Sequence, residues 1–347
     1  MTIIFLIFLI ITFVHIILGL ALFRQYPTNN DYLHSFSIVV VAHNEEQMLI
    51  PLLESLLAID YPVEKLEIIL VDDLSTDSTF SLIADYASKY PFIKAIITDQ
   101  KYSDYKGKKA GLQTALDLAQ NEIVVFTDAD ALVPKQWLKS HNSLFTSQTG
   151  MVIGYIRGEN IKGLKRYKRI FSSGLFASLC SLGSAFSCSG GNLAIRRLAL
   201  KQVDGYASIK DFPSGDDKQM LNLIKASKYK IAYNSQIKVI ERQRNLTSEQ
   251  AYQQAIRHYG KVAISSKTYQ IGFIITSLFY LSIPVIVFFQ PSILFLFWLG
   301  NIFFYFCASL LHKEKIYLED IFLSIIYPYY MLYFSCLGTF TEAKWKK

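Results

Sequence analysis

The chain has 347 residues, room for one large domain or two small ones, and is 52% hydrophobic, 18% charged and of mean hydropathy +0.27. Its net charge is +7; beside long apolar segments this balance points to an anionic membrane face and phosphate-bearing ligands, and with no RNA- or DNA-binding motif present nucleic acid is not an expected partner. The four cysteines, Cys180, Cys188, Cys307 and Cys336, lack metal-ligand spacing and read as reduced core or membrane residues, which excludes a disulfide framework.

The apolar excess sits at the two ends. Thr2 to Phe23 is an almost unbroken apolar run, long enough to cross a bilayer as a helix. No positive charge precedes it and no small-residue cleavage site follows, so residues 1–24 read as an uncleaved anchor. Arg24 and the lysine-rich middle favour an outside amino terminus and a cytoplasmic domain. Phe36 to Ala42 then predicts a buried strand ending in His43-Asn44-Glu45-Glu46, followed by a helix through Leu49, Leu52, Leu53, Leu56 and Leu57. Leu66 to Val71 predicts a second strand, ending in Asp72-Asp73-Leu74-Ser75-Thr76-Asp77. A helix from about Ser78 to Tyr90, a strand Ile93 to Ile97, and a helix opened by Lys106-Gly107-Lys108-Lys109 come next. Ile123 to Phe126 is the fourth apolar run, and it stops abruptly at Thr127-Asp128-Ala129-Asp130. Alternating strands and helices argue for βαβ units on a parallel sheet, with polar clusters from three strand ends along one edge.

From Ile161 the character changes. Lys162, Lys165, Arg166, Lys168 and Arg169 lead into an apolar stretch that ends near Cys188, so 161–188 is either a helix at the membrane interface or a buried helix with a solvated basic flank. Gly190-Gly191-Asn192 and Asp204-Gly205-Tyr206 read as turns. Gly215-Asp216-Asp217 precedes a helical run through Met220, Leu221 and Ile224, and a further helix, about 248–267, groups Gln254, Arg257, His258 and Lys261. Three apolar segments close the chain, 271–289, 292–311 and about 320–340, followed by Lys344-Trp345-Lys346-Lys347. Those lysines conflict with the positive-inside rule if the last segment spans fully, so its topology stays open.

Two carboxylates one residue apart, Asp128 and Asp130, stand just past a buried strand's carboxyl end, where open α/β sheets place ligands. Hard oxygens at that spacing suit Mg²⁺ or Mn²⁺ bridging to phosphates; a lone pair of this kind is as often a solvated strand-to-loop junction.

The order Ala42-His43-Asn44-Glu45, Asp72 to Asp77, Thr127 to Asp130 and Gly215-Asp216-Asp217 resembles the inverting family 2 glycosyltransferases of the GT-A fold, over roughly Phe36 to Lys267. The flanking segments resemble those of membrane-bound bacterial members. The resemblance implies a Rossmann-like nucleotide-sugar domain (35–267) between an amino-terminal and a carboxyl-terminal transmembrane region (268–347). It further implies a multi-pass plasma-membrane protein with a cytoplasmic catalytic face. The acid ending the second strand, Asp73 with Asp72 beside it, is implied to hold the nucleotide, flanked by Ala42, Asn44 and Glu45. Asp128 and Asp130 match the family's D-x-D, Asp130 as the metal ligand on the diphosphate. Asp217 takes the place of the general base, and Asp216 departs from the usual glutamate. Gln254-Ala255-Ile256-Arg257-His258 resembles the Q-x-x-R-W motif, with His258 where tryptophan is usual. That departure favours single transfer over processive polymer synthesis. Gly191 and Asn192 join Gln254, Arg257 and His258 as donor and acceptor residues.

The implied reaction moves a sugar from a nucleotide-diphosphate donor, a UDP-sugar by expectation, to a hydroxyl of a lipid or glycan. Negative charge grows on the leaving diphosphate, and a divalent cation, with Lys108 or Arg257, offsets it. A carboxylate takes the acceptor's proton. Two readings of other classes compete. A sugar nucleotidyltransferase normally carries a glycine-rich loop after the first strand, which is lacking here. A non-catalytic membrane scaffold gives no reason for acids at every strand end.

Overall fold

The structure, a computed structural model, describes residues 2–28, 32–212, 215–243, 247, 249, 252–253, 255–256, 267–289 and 291–340. The chain divides into two compact units: Ala21–Asn160 with Leu175–Gln243, and Met1–Leu20 with Ile161–Gly174 and Arg244–Lys347.

The first unit is an α/β layer structure. Its elements run β1 (Phe36–Ala42), α2 (Glu46–Leu57), β2 (Leu66–Asp72), α3 (Thr79–Lys89), β3 (Ile93–Ile97), α4 (Lys109–Leu118) and β4 (Ile123–Asp128), α1 being Thr2–Ala21. Then follow β5 (Ala131–Leu132), α5 (Trp137–Asn142), β6 (Thr149–Gly158), β7 (Leu193–Arg196), α7 (Arg197–Gln202), α8 (Asp216–Ala226) and β8 (Lys230–Glu241), with α6 (Gly163–Ser181) between β6 and β7. The eight strands form one sheet in the order β3-β2-β1-β4-β7-β6-β8-β5. β3, β2, β1 and β4 are mutually parallel, whereas β7 is antiparallel to both β4 and β6.

Every residue of β2 is buried, as are all but one each in β1 and β4. Helices on both faces cover such strands, which is why they read as continuous apolar runs. α2 presses Leu49, Leu52, Leu53 and Leu56 into the same core as Ile38, Val40, Ile68 and Leu70. In register, Ala42 lies opposite Asp72 and Val41 opposite Asp128, so three strand ends reach one edge together. The chain passes from β1 outward to β2 and β3, then returns to β4 on the other side. The crevice between β1 and β4 is therefore the switch point at which such sheets bind ligands.

β6, β7 and β8 carry no strand expectation from the sequence. β6 holds Gly150, Gly154 and Gly158, β7 is four residues long, and β8 is only partly buried, so none shows a clean strand period. The pairing of β6 with β8 slips in register between Gly154 and Tyr155.

The second unit contains helices only among its described residues: α1, the first turns of α6, α9 (Lys267–Phe289), α10 (Pro291–Leu311) and α11 (Glu319–Phe340). Small residues set its close approaches: a Cβ on Gly174 would lie 2.5 Å from that of Ala308, and one on Gly19 would lie 2.8 Å from the Phe303 ring. Arg166 is buried against Asp320, donates to Lys315 O at 2.8 Å and lies over the Tyr317 ring. One described helix, Glu319–Gly338, is long and apolar enough by length and composition to cross a membrane; Phe5–Ala21, Phe273–Ile286 and Phe295–Leu311 are shorter apolar helices. Of the expected spans, that helix alone among the described residues meets this test of length and composition.

Candidate active site

The two loops that leave β1 and β2 are knitted to each other. Asn44 and Leu74 adopt left-handed backbone conformations, φ 54° and 57°. Asn44 N–H donates to Ser75 Oγ at 2.9 Å, and its side-chain oxygen accepts from Thr76 N–H at 2.8 Å. His43 Nδ1 donates to the Asp73 carbonyl at 2.6 Å. Glu45 N–H donates to Thr79 Oγ1 at 2.8 Å, and Asp73 N–H to the Ala42 carbonyl at 2.7 Å. The Asn44 amide thus shapes the loop. Asp72 and Asp73 have separate surroundings. Asp72 is buried; one carboxylate oxygen accepts from Ser75 N–H at 3.1 Å, and the other has no hydrogen-bond partner in the structure. Asp73 is half-buried and accepts from Thr98 Oγ1 at 2.9 Å.

Asp128 ends β4, and Lys108 precedes the first turn of α4. The Lys108 ammonium donates to Asp128 Oδ1 at 3.0 Å and lies 4.0 Å from Asp216 Oδ2. The Asp128 carboxylate, with Asp216 adding to it, raises the Lys108 ammonium well above the ordinary lysine range, so it stays charged. The far side of Asp128 is closed by backbone. A Cβ on Gly191 would fall 2.5 Å from Asp128 Oδ2, so a larger residue would displace the acid or the turn. Thr127 Oγ1 donates to the Gly191 carbonyl at 3.0 Å. Asp130 is half-buried in the turn before β5, and its carbonyl accepts from Arg242 N–H at 2.8 Å.

α8 begins at Asp216, after Gly215 in the left-handed region at φ 80°. Both acids therefore sit in the first turn, where the helix dipole favours negative charge. Asp216 turns toward Lys108. Asp217 lies on the side of Gly190, whose Cβ, if present, would be 3.7 Å from the Asp217 Cβ and 3.8 Å from Lys108 Nζ. Cys188 and Tyr206 are buried beside this pair; burial, then the two carboxylates, pushes the Cys188 thiol well up, and burial with Asp216 does the same for the Tyr206 phenol.

Asp72, Asp73, Lys108, Asp128, Asp216, Asp217 and Gly191 thus lie in the α/β unit around the β1 and β4 ends. Asn192 is fully buried and its amide faces inward. Gln254, Arg257 and His258 lie outside the described residues. Sequence reasoning passed over Thr98, Trp137 and His141, which sit in no motif and are brought in by elements distant in sequence, and it gave Tyr206 and Cys188 no part in the site. Among the described residues no three His, Cys, Asp or Glu side chains converge as a metal site. Asp128 and Asp130 suit an ion of the Mg²⁺ type, which takes one or two carboxylates and fills its shell with phosphate oxygens and water.

Residues 37–204 match the sequence model of the family described as glycosyl transferase family 2. A probable glycosyltransferase of Bacillus subtilis is 26% identical over 202 residues, 53% of this chain and 48% of that protein. A beta-monoglucosyldiacylglycerol synthase of Synechocystis is 35% identical over 112 residues, 32% of this chain and 23% of that protein. The chain thus spans less than half the length of these curated relatives. A mannosyltransferase of Pyrobaculum calidifontis, solved in complex with GDP-Man and Mn²⁺, superposes with a TM-score of 0.59 at 19% identity, covering 97% of this chain and 98% of the other. That likeness is one of fold: the α/β unit is a GT-A domain.

Proposed function

We infer that this chain is a family 2 glycosyltransferase that moves a sugar from a nucleotide-diphosphate donor to a hydroxyl of a membrane lipid or glycan, with inversion at the anomeric carbon. The observation that carries the reading is Lys108, held 3.0 Å from Asp128 and 4.0 Å from Asp216 at the sheet's switch point. A fixed ammonium between two acids is what a diphosphate leaving group requires on one side and a proton acceptor tolerates on the other. Asp73, half-buried beside the buried Asp72, holds the nucleotide. Asp130 and Asp128 would hold a divalent cation, whose contribution is to offset the charge that grows on the leaving diphosphate. Lys108 adds a positive charge of the protein's own. Asp217 takes the acceptor hydroxyl's proton as that oxygen attacks, and a single displacement needs no second nucleophile. The names of the relatives, a glucosyldiacylglycerol synthase among them, support a lipid acceptor, and the apolar helices support transfer at a membrane surface, which the proposal places on the cytoplasmic side. The test is nucleotide release by the purified chain from a panel of UDP- and GDP-sugars, with membrane lipids and with Mn²⁺, Mg²⁺ or chelator. Lipid-dependent, metal-dependent release is expected; none with any donor refutes the reading.

A further inference from the structure

Beneath the Gly190-Gly191 turn lies a polar cluster that no substrate reaches. Asn192, Trp137 and His141 are each fully buried. Asn192 Oδ1 accepts from Trp137 Nε1 at 2.9 Å and from His141 Nε2 at 2.9 Å, while its Nδ2 donates to the Tyr155 carbonyl at 2.9 Å. The assignment is unique. A flipped amide would set its NH₂ against the indole N–H and its oxygen against a carbonyl. His141 must then carry its proton on Nε2, leaving Nδ1, which has no hydrogen-bond partner in the structure, bare. Burial agrees, lowering the imidazole to about 4 against the opposing Asn192 contact, so the ring is neutral. Gly154 makes the room: a Cβ there would fall 2.1 Å from Asn192 Nδ2, and the β6–β8 register slips at this point.

Asn192 follows directly on the turn that stands against Asp128 Oδ2 on one side and Asp217 on the other. We propose that Asn192, clamped by His141 and Trp137, is a positioning residue that fixes the Gly190-Gly191 turn as the wall between the Asp128 and Asp217 carboxylates, and so shapes the place of the donor's sugar. This rests on the transferase reading above. The turn has no side chain of its own to hold it, since Gly190 and Gly191 are both glycine. Its position must come from neighbouring residues: from the Thr127 hydroxyl on the Gly191 carbonyl and from the triply bonded Asn192 behind it. A shift of a few tenths of an ångström would carry backbone into Asp128 or open a gap at the sugar.

The experiment compares Asn192→Leu, His141→Leu, His141→Gln and Trp137→Phe in the full chain, each checked by circular dichroism at the assay temperature. Leucine keeps the size of asparagine without its amide; glutamine at 141 places an N–H where Nε2 stood. The expected result is a fall in kcat of about thirtyfold or more for both leucine variants, nucleotide-diphosphate Kd by calorimetry within about threefold of wild type, and recovery of most of the rate in His141→Gln. Trp137→Phe, which removes one donor and keeps a ring, carries the test if the leucine variants do not fold, with kcat falling by about threefold or more. Folded variants with wild-type kcat overturn the proposal. So does an equal loss of nucleotide affinity and rate, the mark of a general loosening. A wild type that turns over no donor refutes the transferase reading instead. Crystal structures of Asn192→Leu and Trp137→Phe then decide the positioning claim: a turn displaced from Asp128 supports it, and an unmoved turn refutes it.

Discussion

Lys108 sets the charge balance of the site: its ammonium meets Asp128 directly, and Asp216 stands one contact further off. Asp216 thereby faces a cation, and Asp217, on the side of Gly190, is the acid proposed to serve a hydroxyl. Asp217→Asn keeps shape and removes basicity. It should bind nucleotide diphosphate normally and lose on the order of a hundredfold or more in transfer rate, with Asp216→Asn losing less. Steady-state kinetics beside calorimetry check this; the reverse order makes Asp216 the base. His141 supplies a second prediction. Its folded value, about 4, lies below the 6.5 of an exposed imidazole, so the unfolded chain takes up the proton first as pH falls. Stability from this group is complete above about pH 6.5, declines through the interval down to about 4, and amounts to about 3 kcal/mol in all. The melting temperature should therefore fall less between pH 7 and pH 5 in His141→Gln than in wild type. Equal slopes in a thermal scan would refute it.

Among the elements, the strand-to-helix turns carry the chemistry. α4 brings Lys108 to the site, and α8 brings Asp216 and Asp217, each at a helix amino end. The Gly190-Gly191 turn closes the space between them, and the contact with Asp128 makes it exacting. In Gly191→Ala the new methyl would stand 2.5 Å from Asp128 Oδ2, and the acid or the turn must move. The sheet should survive, since the residue lies at its edge. Metal-dependent nucleotide binding should weaken by about tenfold or more. Calorimetry with and without Mn²⁺ distinguishes this from a metal-independent loss, which would place the damage elsewhere.

For the whole molecule, the proposal of transfer at a membrane predicts the side on which the α/β unit lies. The helical unit leaves Phe288 83%, Leu278 63% and Leu281 63% exposed, surface that water does not favour and a bilayer does. Glu319–Gly338, at about 1.5 Å per residue, spans about 30 Å, close to a bilayer's hydrocarbon core. Nucleotide sugars are cytoplasmic, so the catalytic unit should face that side. Of the four cysteines only Cys336 is exposed, and Lys89 is an open site on α3, its side chain 58% exposed. Lys89→Cys in a Cys336→Ser background should resist a membrane-impermeant maleimide in intact cells and react after lysis. Labelling in intact cells reverses the orientation.

The apolar runs of β1, β2 and β4 were legible because strands covered on both faces bury every residue, whichever way it points. Their polar ends were legible because an acid inside such a run needs a partner of its own, as Glu67 in β2 has in Ser37 and Lys94, whereas acids past the strand end need none. The start of α8 at Asp216 followed from the glycine before it and the paired acids that open it. Tertiary structure alone decided β6, β7 and β8, where glycines, short length and half-exposed faces erase the period. It alone separated Asp72 from Asp73, since adjacent carboxylates read alike until one is turned into the core. It also brought Lys108 across to Asp128, and Trp137 and His141 to Asn192. Hydrogen bonds between residues 20, 55 and 51 positions apart leave no spacing in a sequence, because the sheet, and not the chain, sets the distance.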